Sequence, residues 1–115
     1  MDRSRLAAIE PFTTLDGSSI RELAHTEEQS LAEATVAAGG ETEAHYHRAS
    51  EELYYFTQGS GRMKFGDEVV EVAAGECITI PPGVEHKLWN PSEAEPLVLL
   101  CCCSPPYSHD DTVVT

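Results

Sequence analysis

The sequence predicts an all-β chain with little helix, folded as a small jelly-roll β-barrel. Three observations point there. Apolar residues recur with a period of two rather than 3.6, as in Arg62-Met63-Lys64-Phe65. The apolar runs are short and rich in Val, Ile, Tyr and Phe. Each run is closed by turn chemistry such as Asp16-Gly17, Gly66-Asp67 or Pro81-Pro82-Gly83. Many short strands joined in this way bury their faces by closing on one another. The 115 residues are one domain's length: residues 12–103 form the barrel, 1–11 an N-terminal arm that has no obvious place in a minimal barrel and is a candidate for a subunit interface, and 104–115 an irregular C-terminal tail.

In chain order, Phe12 to Leu15 and Ser19 to Leu23 flank the Asp16-Gly17 turn as a hairpin. His25 falls in a polar loop, and Leu31 to Val36 is the next strand, ending at Gly39-Gly40. Thr42 to His47 is extended, and Leu53-Tyr54-Tyr55-Phe56 continues as a strand that looks buried on both faces. Arg62 to Phe65 and Val69 to Val72 form a second hairpin, with Met63 and Phe65 inward and Arg62 and Lys64 outward. Cys77 to Ile80 stops at the double proline, the strand from His86 carries Trp89 into core or a subunit interface, and Leu97 to Cys103 is the final apolar strand.

His45 and His47 are the centre of interest. On an extended chain, residues two apart project from one face with Cα atoms roughly 6.5 to 7 Å apart, so one ion can sit between two imidazoles. On a helix the same pair would diverge by about 200°. After the polar break Arg48-Ala49-Ser50, the chain can reverse and bring Glu51 or Glu52 back towards them. Two imidazoles and a carboxylate make a first set of ligands for a divalent transition metal.

A second stretch runs Gly75-Glu-Cys-Ile-Thr-Ile-Pro81-Pro-Gly83-Val-Glu-His86-Lys-Leu-Trp-Asn90. Together the two stretches resemble the cupin family, whose first motif is G-x5-H-x-H-x(3,4)-E-x6-G and whose second is G-x5-P-x-G-x2-H-x3-N. Gly39, His45, His47, Glu52 and Gly59 fit the first, and Gly75, Pro81, Gly83, His86 and Asn90 fit the second, without gap or substitution. Only Glu52 leaves six residues before Gly59. The resemblance spans about half the chain. It implies that His45, His47, Glu52 and His86 bind one divalent metal (Fe, Mn, Ni, Cu, Co or Zn) inside the barrel. It also implies a small-molecule ligand and a homodimer.

Charge narrows the partners further. With 20 acidic against 7 basic residues and a net charge of -13, the chain lacks the cationic footprint that nucleic acids and anionic membranes require. No apolar run approaches a membrane span and none follows Met1 as a signal peptide would, so a cytoplasmic protein is expected. Cys77 and the contiguous Cys101, Cys102 and Cys103 match no disulfide framework or zinc spacing. As strand residues, Cys101 and Cys103 share one side and Cys102 takes the other. They read chiefly as small core fillers, with a minority reading that sets one or two thiols at the wall near the metal.

Alternation from Glu52 puts Tyr54 and Phe56 on the metal's side, with Met63 and Phe65 closing an apolar pocket. For Tyr54, a core role with its hydroxyl on a backbone acceptor weighs about equally. Such a pocket suits oxygen-dependent oxidation of a small aromatic or enolic molecule. Two alternatives stand beside it: a metal-dependent binder or sensor without turnover, and a sugar-phosphate isomerase. The isomerase reading suffers from a shortage of inward cations. No residue outside the ligand set is marked as a catalytic acid or base.

Overall fold

Turn residues cut the chain into eleven strands, all placed in a computed structural model describing residues 1–115. They are β1 (Phe12–Thr13), β2 (Ser19–His25), β3 (Ser30–Val36), β4 (His45–His47), β5 (Glu51–Gln58), β6 (Ser60–Phe65), β7 (Glu68–Ala73), β8 (Cys77–Ile80), β9 (His86–Trp89), β10 (Leu97–Ser104) and β11 (Thr112–Val114). A single 3-10 turn, Leu6–Ala8, is the only helical element. The strands form two sheets with antiparallel neighbours, one ordered β1-β2-β3-β10-β5-β8 and the other β11-β4-β9-β6-β7. This is the predicted all-β jelly roll.

The period-two pattern sets the interior. Along β5, Glu52, Tyr54 and Phe56 are buried in succession, and along β10 Leu99, Cys101 and Cys103 are. From the opposite sheet come Met63, Val72 and Leu88, which join Phe56, Ile80 and Leu97 in one apolar cluster. Truncating a fully buried member such as Phe56 or Leu99 would cost on the order of 2–5 kcal/mol. Gly59 makes the tight β5–β6 turn possible: it has φ +82°, and a Cβ there would lie 2.5 Å from the Pro96 carbonyl oxygen. Asn90, also fully buried, reaches the carbonyls of Val36, Ala37 and Glu95 with its side-chain amide, tying three chain segments together.

Three expectations change. The strand β5 is not buried on both faces: Leu53 and Tyr55 are 38% and 44% exposed, because β5 lies inside a sheet whose outer face is uncovered. The tail is not wholly irregular, since Thr112–Val114 returns as an edge strand paired with β4, Thr112 opposite His47 and Val114 opposite His45. His25 is the exposed last residue of β2 rather than a loop residue. The N-terminal arm lies against its own chain, where Ser4 Oγ donates to the Leu23 carbonyl and Arg21 Nε to that of Ile9.

Candidate metal centre

The four residues that the motifs single out meet between the sheets. Strand β4 supplies His45 and His47, the adjacent β9 supplies His86 directly opposite His45, and β5 of the other sheet supplies Glu52. All four are buried, and one ligand atom from each lies within 4.8 Å of all the others. Glu51 is on the exposed side of β5, so the alternation that brings Glu52 inward excludes its neighbour.

Each imidazole is oriented through Nδ1. His45 Nδ1 lies 2.9 Å from the Glu43 carbonyl and His86 Nδ1 2.9 Å from the Val84 carbonyl, so in both the Nδ1–H donates and Nε2 is turned to the centre. His47 Nδ1 is 3.1 Å from Thr112 Oγ1. Because Thr112 Oγ1 itself donates to the Ser108 carbonyl, it accepts from the imidazole. Outer contacts of this kind fix the tautomer of a metal-binding histidine. The Pro81-Pro82-Gly83 turn is tied to the same strand, since Gly83 N–H donates to the His47 carbonyl.

Glu52 is held on both oxygens. Its Oε1 is 3.1 Å from His47 Nε2 and 3.4 Å from His86 Nε2, while Oε2 accepts from the Cys103 thiol at 3.2 Å, across the β5–β10 ladder. The His86 contact is off-axis, leaving its Nε2 buried without a hydrogen-bond partner. Such an atom is costly unless something binds it. Three Nε2 atoms and a carboxylate oxygen converging in a buried space, one of them orphaned, fit a divalent transition metal.

Burial and neighbouring charges set the protonation states. Burial, then the charge of His86, lowers the pKa of His45. Burial also opposes charge on His47, but the hydrogen bond and charge of Glu52 outweigh it and raise the His47 value. For Glu52, burial favours the neutral acid, yet the His47 and His86 contacts prevail and hold its pKa at about 2. Burial pushes the Tyr54 hydroxyl and the Cys101 and Cys103 thiols well up, so they stay protonated.

A cavity opens beside this cluster, lined by His45, His47 and Glu52 and by Tyr54, Cys101 and Cys103 among others. Of the four predicted wall residues, only Tyr54 lines it. Phe56 is four residues beyond Glu52, roughly 13 Å along the strand, and lies with Met63 in the apolar cluster. Phe65, opposite His86 in the ladder, packs against that cluster. The wall comes instead from β1, β2 and β3, through Phe12, Ile20 and Ala34. Sequence reasoning missed Asp16, Tyr107 and Thr112 as cavity residues. Asp16 carried a turn signal only, and the other two lay in the supposed tail.

Comparison with known proteins agrees with this fold. Residues 32–103 match the family described as Cupin domain. An uncharacterized protein of Methanocaldococcus jannaschii is 48% identical over 111 residues, covering 92% of this chain and 88% of that protein. Among solved structures, an RmlC-like cupin from Shewanella frigidimarina aligns with a TM-score of 0.82 at 22% identity, over 96% of this chain and 95% of that one. The polyketide cyclase RemF from Streptomyces resistomycificus aligns at 0.81 and 23% identity, over 91% and 80%. At these identities the two structures share the fold.

Proposed function

The chain belongs to the cupin domain family, and from that premise we propose that it holds one divalent transition metal and oxidises a small enolic or phenolic molecule with dioxygen. The metal ligands in this reading are His45, His47, Glu52 and His86. When bound, such a metal supplies Lewis acidity and, where redox-active, a route for electrons to dioxygen.

The observation that carries the reading is the cavity wall: imidazoles and carboxylates beside apolar Phe12, Ile20 and Leu99, with no arginine or lysine. Phosphate capture generally needs such cations or exposed backbone N–H groups, so a sugar phosphate fits poorly. Arg62 and Lys64 point away to Glu71 and Glu85. The cavity is small and lined largely by buried side chains, which favours a compact ligand. Within it the chain's own residues orient the ligand, exclude bulk water and keep the Tyr54 and Cys103 protons in place.

A second reading, binding without turnover, is favoured by those same raised values, because neither Tyr54 nor the two thiols exchanges a proton near neutrality. The test loads the protein with iron, manganese or zinc and offers phenolic or enolic compounds and sugar phosphates, following both binding and oxygen uptake. Uptake with the iron form alone supports oxidation, and binding without turnover in every form supports the sensor. Turnover of a sugar phosphate overturns both. We also propose that two chains pair, using the outer face of the six-stranded sheet, where Leu53 and Tyr55 are exposed beside half-buried Leu31 and Leu100.

A further inference from the structure

The β1–β2 turn places a carboxylate at the cavity that turn formation alone does not explain. Asp16 Oδ1 accepts from Thr14 Oγ1 at 2.5 Å, from Ser18 N–H at 2.9 Å and from Ser18 Oγ at 2.6 Å, so one oxygen makes all the side chain's contacts within the turn, beside the backbone bonds Thr14 N–H to Ser18 carbonyl and Gly17 N–H to Thr14 carbonyl. An asparagine would build it equally well. The second oxygen, Oδ2, has no hydrogen bond within the chain; it lies 3.7 Å from His45 Nε2, beyond hydrogen-bond reach. Nor is Asp16 one of the four residues whose ligand atoms cluster within 4.8 Å. Its side chain is 12% exposed and lines the cavity with Phe12, Ile20 and Tyr54. The turn is also fixed to the site: Glu43 N–H donates to the Asp16 carbonyl at 2.6 Å, and the Glu43 carbonyl is the one that orients His45.

We propose that Asp16 is a specificity-determining residue whose free Oδ2 accepts a hydrogen bond from an O–H group of the small molecule bound at the metal. The site then selects uncharged, protic ligands (enols, phenols or alcohols) and repels small anions lacking a donor. Two effects act together. A carboxylate accepts but cannot donate, so only a ligand with a hydrogen to give satisfies it. Its negative charge, on a side chain largely removed from solvent, is weakly screened, so a second anion nearby is disfavoured. The proposal rests on the metal-centre reading and deepens it by naming the ligand class.

The test compares cobalt(II)-loaded wild type with Asp16→Asn, using azide and catechol as probes and the visible cobalt spectrum as readout. Asparagine keeps the turn-building oxygen and removes the charge and the free acceptor. Cobalt content is expected to stay at one per chain, azide to bind about tenfold or more tighter, and catechol about tenfold weaker. Asp16→Ser retains a turn-forming oxygen and is expected to show the same pair of opposite shifts, which guards against a folding defect peculiar to one variant. Full cobalt content with both affinities unchanged, or with both falling together, overturns the role of Asp16 while leaving the metal centre standing. A wild type that takes up no cobalt overturns the metal centre and this inference with it.

Discussion

His47 is bound at both ring nitrogens, Nδ1 by Thr112 and Nε2 by Glu52, an arrangement that in the metal-free protein favours the imidazolium paired with a carboxylate. Its value is raised above the ordinary 6.5, and that of Glu52 falls from 4.5 to about 2. The His47 contribution to stability is complete below its unfolded value and is lost as pH rises through the raised one. The Glu52 contribution is present above 4.5 and is lost as pH falls towards about 2. The His47–Glu52 pair therefore favours the metal-free fold between those limits, while the lowered value of His45 works against it as pH falls below the ordinary histidine value. A metal reverses the upper limit, because it must displace the Nε2 proton of His47. Because the His47 value is raised, zinc uptake near pH 6.5 should release protons, with affinity rising with pH until His47 is neutral. Calorimetry in buffers of different ionisation heat measures the proton count. Zinc binding without proton release, and with flat affinity from about pH 5.5 to 7.5, would contradict this account of His47.

The short strand β11 shows how an element far along the chain supports the centre. It runs antiparallel to β4 and brings Thr112 against His47 Nδ1. Removing that acceptor with Thr112→Val keeps a β-branched shape and is expected to weaken metal binding on the order of tenfold, with little change in thermal midpoint. Competition against a chelator reads it, and unchanged affinity would mean that β11 merely covers the strand. Three β-branched residues after a polar run are too brief a signal to read as a strand, which is why β11 was not legible. The spacing His45-x-His47 was legible because a period of two survives any context in which the chain is extended. Glu52 was legible through the motif, although alternation alone would have served had the outward exposure of Leu53 and Tyr55 been visible. The Cys103–Glu52 contact joins residues 51 apart in sequence, and no local pattern announces it. The same holds for Asp16, whose turn chemistry was plain and whose place above His45 depends on how β1 and β2 cross the barrel mouth.

For the whole molecule, the all-β barrel and its apolar interior followed from alternation and turn residues, and the buried cluster of His45, His47, Glu52 and His86 followed from the resemblance that the motif positions carry. Which strands wall the cavity did not, because that depends on how the sheets curve. The outer face of the six-stranded sheet leaves Leu53 and Tyr55 in solvent, on a chain whose net charge of -13 opposes self-association. Light scattering at tens of micromolar is expected to give the mass of two chains, and Tyr55→Glu with Leu53→Glu to give one; a monomeric wild type removes the pairing. The centre itself rests on four side chains from three strands in two sheets. Metal analysis of protein purified from its own host, followed by reconstitution, tests it most directly. The account predicts about one divalent metal per wild-type chain and almost none in the double variant His45→Ala with His86→Ala. Equal metal content in the two proteins, both natively and after reconstitution, would contradict it.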